Sequence, residues 1–211
     1  MTRYKSIKEP KEVKLNIERS EFIGNVQKVD TSESAQEFIK EISQKYINAT
    51  HNCWAYKVYE NEREIFNYSD NGEPSGTAGK PIFGVIEKYG LNNIAIVVTR
   101  YFGGVKLGIR GLIDAYSSTA EEAVKKSKVV NYHKTSIYEA ECDYSQFSEI
   151  ERLTRKIYDF KIIDQNFGAS VHFTFEIPEE NRARILKIFE NKVNKIKFLM
   201  RGESFIDNNL D

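Results

Sequence analysis

The amino-acid sequence predicts an α+β protein with two domains, and three observations support this prediction. The chain has 211 residues, which is more than the roughly 100–150 residues of a common single domain. Hairpin and helix patterns mix as far as residue 134, whereas a regular order of strand, helix, strand, strand, helix and strand begins at residue 135. We therefore predict domains at 1–134 and 135–211, with a short linker at 131–134.

The first half of the first domain is predicted from its apolar spacing. Strands at 13–17 and 22–29 flank polar residues and form a hairpin. A helix follows that is capped by Ser32 or Ser34 and ends near Asn48. Alternating aromatic and polar residues then predict a second hairpin with strands at 53–59 and 64–68.

The second half of this domain combines two glycine-rich segments with two helices. A polar loop at 69–79 leads into a short helix, which has Pro81 in its first turn and is stopped by Gly90. The β-branched run at 94–99 predicts a central strand that is buried on both faces. After a glycine-rich connection, a stripe of apolar residues predicts a long helix at 108–127.

The second domain is predicted to have the order βαββαβ. The order is typical of a ferredoxin-like sandwich. Its strands are expected at 136–142, 161–167, 170–177 and 197–206, and its helices at 144–158 and 179–192.

Composition and charge exclude several classes of protein. Hydrophobic residues make up 40% of the chain and charged residues 29%, as in an ordinary globular protein. The 31 basic residues balance the 31 acidic ones, which argues against bulk electrostatic binding to DNA. There is no apolar run long enough for a membrane helix and no secretory pattern at the N-terminus. We expect a cytoplasmic protein that does not bind membranes.

A polar loop with the sequence DNGEPSGTAGKP occupies residues 70–81. Its backbone N–H groups could bind an anion, with help from Ser75, Thr77 and Lys80. Pro81 stands where a Walker A motif needs a hydroxyl residue, which argues against a nucleotide kinase. The alternative is a tight turn in which both hydroxyls satisfy backbone groups.

A second glycine-rich segment, at 99–111, interleaves cations with aromatic residues. Basic residues outnumber acids between residues 76 and 110, where Glu87 is the single acid. Cations that neutralise phosphates, beside an aromatic ring that stacks on a base, are suited to single-stranded RNA. The predicted phosphate-binding residues here are Arg100, Tyr101, Gly103, Gly104, Lys106, Gly108 and Arg110. In the alternative interpretation Tyr101 and Phe102 are packed in the core, and Arg100 pairs internally with an acid such as Asp70 or Asp114.

The evidence for an enzyme is weak. The candidate catalytic residues are His51, Asp70 and Glu73. A triad of Ser75, His51 and Asp70 lacks the GxSxG motif that would support it. Asp70 with Glu73 could hold magnesium, although acidic residues in loops are more often turn formers. We assign no catalytic residue, metal or cofactor.

Three segments of the first domain carry a family resemblance. They read ATHNCWAY, DNGEPSGTAGKPI and VVTRYFGGVKLGIRGLIDAY, and the chain resembles a bacterial, two-domain member of the YigZ/IMPACT family. The resemblance implies a first domain like the second domain of a small-subunit ribosomal protein, and a ferredoxin-like second domain like domain V of elongation factor G. It also implies a link to translation, because eukaryotic members are connected with translation initiation through a protein partner of a stress kinase.

Three functions therefore stay open. The favoured one is a translation-associated regulator that binds RNA or the ribosome through the basic glycine-rich loop. The second is an IMPACT-type regulator of translation or stress that binds a protein partner and has no affinity for RNA. The third is a small-molecule hydrolase or phosphate-handling enzyme. The oligomeric state is left open.

Overall fold

The computed structural model describes residues 1–155, 157, 160–193 and 196–208. The chain forms two compact units, one from Arg3–Asn131 and the other from Tyr132 onward. Helices and strands occur together in both units, which confirms the α+β class with two domains. No helix within the described ranges has the length and apolar character required to span a bilayer.

The first unit contains a five-stranded sheet with the order β2-β3-β6-β4-β5, in which neighbouring strands are antiparallel. Both predicted hairpins and the three predicted helices are confirmed. Strand β1 was not predicted, because its five residues lie within a charged stretch. The elements of this unit are β1 (Arg3–Ile7), β2 (Lys11–Ile17), β3 (Ser20–Lys28), α1 (Ser32–Lys45), β4 (His51–Glu60), β5 (Arg63–Ser69), α2 (Gly79–Lys88), β6 (Ile94–Tyr101) and α3 (Gly108–Lys126).

Strand β6 lies at the centre of this sheet and is buried on both faces, as its β-branched run predicts. Ile96 and Val98 point into the core cluster that contains α2 and α3. Ala95 and Val97 point to the opposite face, where α1 packs. The unit is therefore a sandwich of three layers, with the sheet between α1 and the α2–α3 pair.

The start of α1 differs from the prediction. Thr31 is the N-cap, and its side chain accepts a hydrogen bond from the backbone of Ser34. Ser34 in turn accepts one from the Thr31 N–H at 3.1 Å, which completes a capping box. The prediction of Ser32 or Ser34 as the cap is wrong, because the last residue with extended backbone angles is Thr31.

The second unit has the predicted order βαββαβ. Its elements are β7 (Val129–Cys142), α4 (Tyr144–Thr154), β8 (Lys161–Phe167), β9 (Val171–Pro178), α5 (Arg182–Lys192) and β10 (Lys197–Asn208). Strand β9 pairs with both β7 and β8, and β10 also pairs with β7. This is the strand arrangement of a ferredoxin-like sandwich. The predicted helix end at Tyr158 lies outside the described residues.

The predicted linker at 131–134 is part of strand β7. The polar residues of this stretch suggest a linker, but the Tyr132 side chain is only 8% exposed. A buried aromatic residue favours an ordered strand over a solvated connection. The prediction of a linker is therefore wrong, whereas the boundary between 134 and 135 stays a prediction.

Candidate functional site

The two glycine-rich segments of the first unit connect its strands to two neighbouring helices. The 70–79 loop joins β5 to α2, and residues 102–107 join β6 to α3. Neither helix has a side-chain hydrogen bond at its N-cap. The backbone N–H groups at both helix starts must therefore be satisfied in another way.

Asp70 satisfies the N–H groups of the first loop. Its Oδ2 accepts from Gly76 at 2.8 Å, and its Oδ1 accepts from Ala78 and Gly79 at 2.9 Å. Burial alone would raise the pKa of the Asp70 carboxyl, but the three amides outweigh it and lower the pKa below the ordinary value. The expectation that these amides are offered to an external anion is wrong, because the protein's own carboxylate occupies them.

The hydroxyl residues of this loop have different environments. Thr77 is 2% exposed and donates to the Pro74 carbonyl at 2.7 Å, so the prediction that it faces a phosphate is wrong. Ser75 and Lys80 are exposed. The loop thus follows the tight-turn interpretation for Thr77, while Ser75 and Lys80 remain accessible.

Four residues from three elements and a loop form what we call the buried charge cluster, which consists of Ser20, Glu73, Arg100 and Tyr116. Arg100 Nη1 donates to Glu73 Oε1 at 2.6 Å, and the two side chains are 6% and 4% exposed. The Tyr116 hydroxyl donates to the same oxygen at 2.8 Å. Arg100 Nη2 also lies 3.4 Å from Ser20 Oγ, to which it donates. One buried carboxylate therefore joins the first loop to β6 and α3.

Two aromatic rings enclose the Arg100 guanidinium. Its central carbon lies 5.4 Å from the ring centre of Phe22 and 5.3 Å from that of Phe102. These are cation–π distances. Desolvation by burial, followed by the neighbouring Cys53 and Glu73, raises the pKa of the Tyr116 phenol, which keeps it a neutral hydrogen-bond donor.

The structure corrects the role predicted for Arg100. As a phosphate-binding residue it was expected to face solvent, but it is 5% exposed and paired with Glu73. The alternative interpretation, an internal ion pair, describes it correctly. The partner is Glu73 rather than Asp70 or Asp114.

His51 and Cys53 lie beside the cluster on strand β4. His51 Nδ1 is 2.8 Å from the Asn71 carbonyl, and its Nε2 is 3.9 Å from Glu73 Oε2. The Cys53 thiol donates to the Asp70 carbonyl, and burial raises its pKa to about 12. Cys53 is therefore a protonated structural thiol rather than a nucleophile.

These contacts do not assemble the catalytic arrangements considered from the sequence. His51 faces Asn71 and Glu73 while Asp70 binds backbone amides, so the triad with Ser75 does not form. Glu73 is held by Arg100 instead of joining Asp70 around a cation. Within the described residues, no group of His, Cys, Asp and Glu side chains is placed to hold a metal ion.

The second glycine-rich segment is fixed at its start and open further on. The Phe102 amide donates to Thr50 Oγ1 at 3.0 Å, and the Gly103 amide donates to Ser20 Oγ at 3.2 Å. A Cβ atom on Gly103 would lie 1.8 Å from the Arg19 carbonyl oxygen, so only glycine fits there. Gly104 has a φ of +85° and nothing around its Cβ position. The loop is therefore held against the sheet at residues 102–103, and it has open space beside it at Gly104.

Exposed cations surround this open part. Lys106 and Arg110 are exposed, and neither has an ion-pair partner in the described part of the chain. Arg19, in the β2–β3 turn, is also exposed, and its backbone carbonyl lies against Gly103. Sequence analysis missed Arg19, since only strand pairing brings the turn to the loop. Phe102 is 46% exposed, whereas Tyr101 is half-buried. Phe102 is thus the aromatic residue available for stacking.

A surface groove of about 560 Å³ runs beside the loop, between the β2–β3 turn and the first half of α3. Lys106 lines it together with two carboxylate residues, Glu18 and Asp114. These carboxylates oppose the binding of an anion inside the groove. Lys106 is the single cation among these lining residues, so the groove itself is not a cationic surface.

Comparison with known proteins agrees with this architecture. The model of the Impact N-terminal domain matches residues 18–124, which include both glycine-rich segments and the whole buried charge cluster. The chain belongs to the IMPACT family. A second model, described as a domain of unknown function (DUF1949), matches residues 141–187 in the second unit.

The relatives of this family member are similar over most of its length. IMPACT family member YvyE of Bacillus subtilis is 40% identical, over 84% of this chain and 81% of that protein. An IMPACT family member of Haemophilus influenzae is 34% identical, over 78% of this chain and 80% of its own. A crystal structure of a hypothetical protein has a TM-score of 0.64 at 28% identity and covers 96% of this chain and 98% of its own.

Proposed function

We propose that this protein is a translation-associated regulator that binds RNA, on its own or in the ribosome, through the exposed cations of the second glycine-rich segment. The observation that carries the proposal is the pair Lys106 and Arg110, both exposed and neither held by an acid in the described part of the chain. Cations already paired within a protein must break that pair to bind a phosphate. Lys106 and Arg110 can contact phosphates at no such cost.

Two neighbouring features support RNA over a free phosphate ion. Arg19 adds a third exposed cation at the loop, so several phosphates of one strand can be contacted together. Phe102 presents an exposed ring whose inner face is held by Arg100, and a base can stack on a ring of this kind. The net charge of zero over the whole chain keeps the binding local and weak.

The association with translation rests on the family. Family membership and the resemblance of the two domains to translation proteins support it, and neither identifies an RNA. The alternative function is that of a regulator that binds a protein partner and has no affinity for RNA.

The test is a fluorescence anisotropy titration of a labelled single-stranded oligouridine at several salt concentrations. Three phosphate contacts at this loop contribute about −2 to the log–log slope, at about −0.7 per contact. The Lys106→Ala/Arg110→Ala variant should lose the contribution of two contacts, about −1.4, and bind weakly. The control is Lys11→Ala/Lys40→Ala, because both lysines are exposed without an ion-pair partner in the described residues and Lys40 lies on α1, across the sheet.

Two results would contradict the proposal. One is an unchanged salt slope in the Lys106→Ala/Arg110→Ala variant. The other is the absence of binding by the unmodified protein at low salt, which would favour the protein-partner function.

A further inference from the structure

Three aromatic residues form an exposed surface on the first unit, which we call the aromatic platform: Phe66, Tyr68 and Phe83. Phe66 is 54% exposed and Tyr68 is 40% exposed. The Phe83 ring lies 4.8 Å from that of Phe66 and 5.8 Å from that of Tyr68, with interplanar angles of 22° and 30°. The rings are therefore supported by one another and still open to solvent.

The position of the platform explains its exposure. Phe66 and Tyr68 alternate on β5, the last strand of the sheet, and both project toward the side on which α2 carries Phe83. Among the strands of the described residues, none pairs with the outer edge of β5 in this sheet. Clustered aromatic side chains at an exposed edge mark an interaction surface more often than an isolated apolar residue does.

One cation beside the platform is available to a phosphate. Lys80 lies one helical turn before Phe83, is exposed and has no ion-pair partner within the described ranges. Two nearby acids, Glu64 and Glu87, are both bound by Lys57, at 3.2 and 3.0 Å. An available cation therefore lies beside the stacked rings, and Lys57 balances one of the two acidic charges.

The backbone of β5 is less suited to a protein strand. The Tyr68 N–H donates to the Asn67 side-chain oxygen at 2.8 Å. Addition of a strand depends on free backbone donors and acceptors along the edge, and this donor is occupied. At Tyr68 the ring is therefore available to a ligand, whereas the backbone N–H is not.

The platform is connected to the proposed RNA site through the 70–79 loop. The loop begins two residues after Tyr68 and ends just before Lys80, and Asp70 fixes its backbone. Within the loop, Glu73 holds Arg100, whose guanidinium contacts Phe102. The rings at the two ends of this network are therefore held in one rigid unit.

We infer that the aromatic platform is a second contact site for the same RNA, where unpaired bases stack on Phe66 and Tyr68 and Lys80 contacts a phosphate. The inference rests on the proposed function and specifies its ligand as single-stranded RNA. Bases in a duplex are already stacked on one another, so a platform of this kind selects unpaired strands.

The experiment compares anisotropy titrations of a labelled oligouridine of about 12 nucleotides and a duplex of similar length. The Phe66→Leu/Tyr68→Leu variant removes the aromatic rings and keeps an apolar side chain at both positions, and a thermal melt verifies its fold. We expect binding of the single strand to weaken about tenfold or more. The salt slope should stay nearly unchanged because the cations remain, and duplex binding should not respond.

The matched control is Tyr144→Leu/Phe167→Leu, which removes another exposed pair of stacked rings from the second unit. An equal loss in the control, or an equal loss for the duplex, would overturn the stacking assignment. Unchanged binding by the platform variant, together with weaker binding by Lys106→Ala/Arg110→Ala, would overturn the platform and leave the proposed function intact. No RNA binding by the unmodified protein would remove both.

Discussion

Two arginines lie near opposite ends of the second glycine-rich segment, and the structure gives them opposite environments. Arg100, at the end of β6, is 5% exposed and bonded to Glu73. Arg110, in the first turn of α3, is exposed and has no ion-pair partner among the described residues. The same side chain thus supports the fold at one position and is available to a ligand at the other.

The difference follows from the elements that carry them. Side chains along a strand alternate between its faces, so Arg100 shares the face of Ile96 and Val98, which point into the core with α2 and α3. Tyr116 meets Arg100 there through Glu73. Arg110 instead occupies the outer side of a helix start. Burial rather than residue type separates the two roles.

The largest effect is expected when Glu73 is removed from the buried pair. The Glu73→Ala variant leaves the Arg100 guanidinium buried without its carboxylate, which costs about 3–5 kcal/mol of unfolding free energy. Urea unfolding measures the loss. The Glu73→Leu/Arg100→Leu variant should recover much of it, because no charge is then buried alone. A single variant as stable as the unmodified protein would show that the pair does not support the fold.

A smaller effect is expected at Asp70. Asp70→Asn weakens the three amide contacts and should cost about 1–2 kcal/mol near neutral pH. Because the pKa of Asp70 is lowered in the folded protein, its stabilisation is present above about pH 4 and is lost as the pH falls through the lowered value. The difference between the two proteins should therefore shrink in acid. A pH-independent difference for Asp70→Asn would contradict this role of Asp70.

Much of the fold could be predicted because local patterns agree with it. The β-branched run at 94–99 predicts the central strand, and the βαββαβ order of the second unit is readable from its periodicity. Local sequence patterns give the wrong element boundary where tertiary contacts determine it. Thr31 rather than Ser32 caps α1, and the polar stretch at 131–134 belongs to β7 because Tyr132 is buried.

The candidate site could be predicted only in part. The sequence identifies both loops and the exposed Lys106 and Arg110, but the pairing of Glu73 with Arg100 needs two distant segments to meet. Tyr116 fits the apolar stripe of α3, and its spacing gives no sign of a hydrogen bond to a buried carboxylate. The alternation of side chains along β6 could have predicted the burial of Arg100, since it places Arg100 on the same face as Ile96 and Val98.

The most direct test compares the unfolding free energies of Arg100→Ala and Arg110→Ala, each measured by urea denaturation beside the unmodified protein. The chemical change is identical, so a difference reports the environment of each side chain. We expect Arg100→Ala to lose about 3–5 kcal/mol and Arg110→Ala to stay within about 0.5 kcal/mol. Equal losses, or a larger loss for Arg110→Ala, would contradict the division between a buried structural arginine and an exposed binding one.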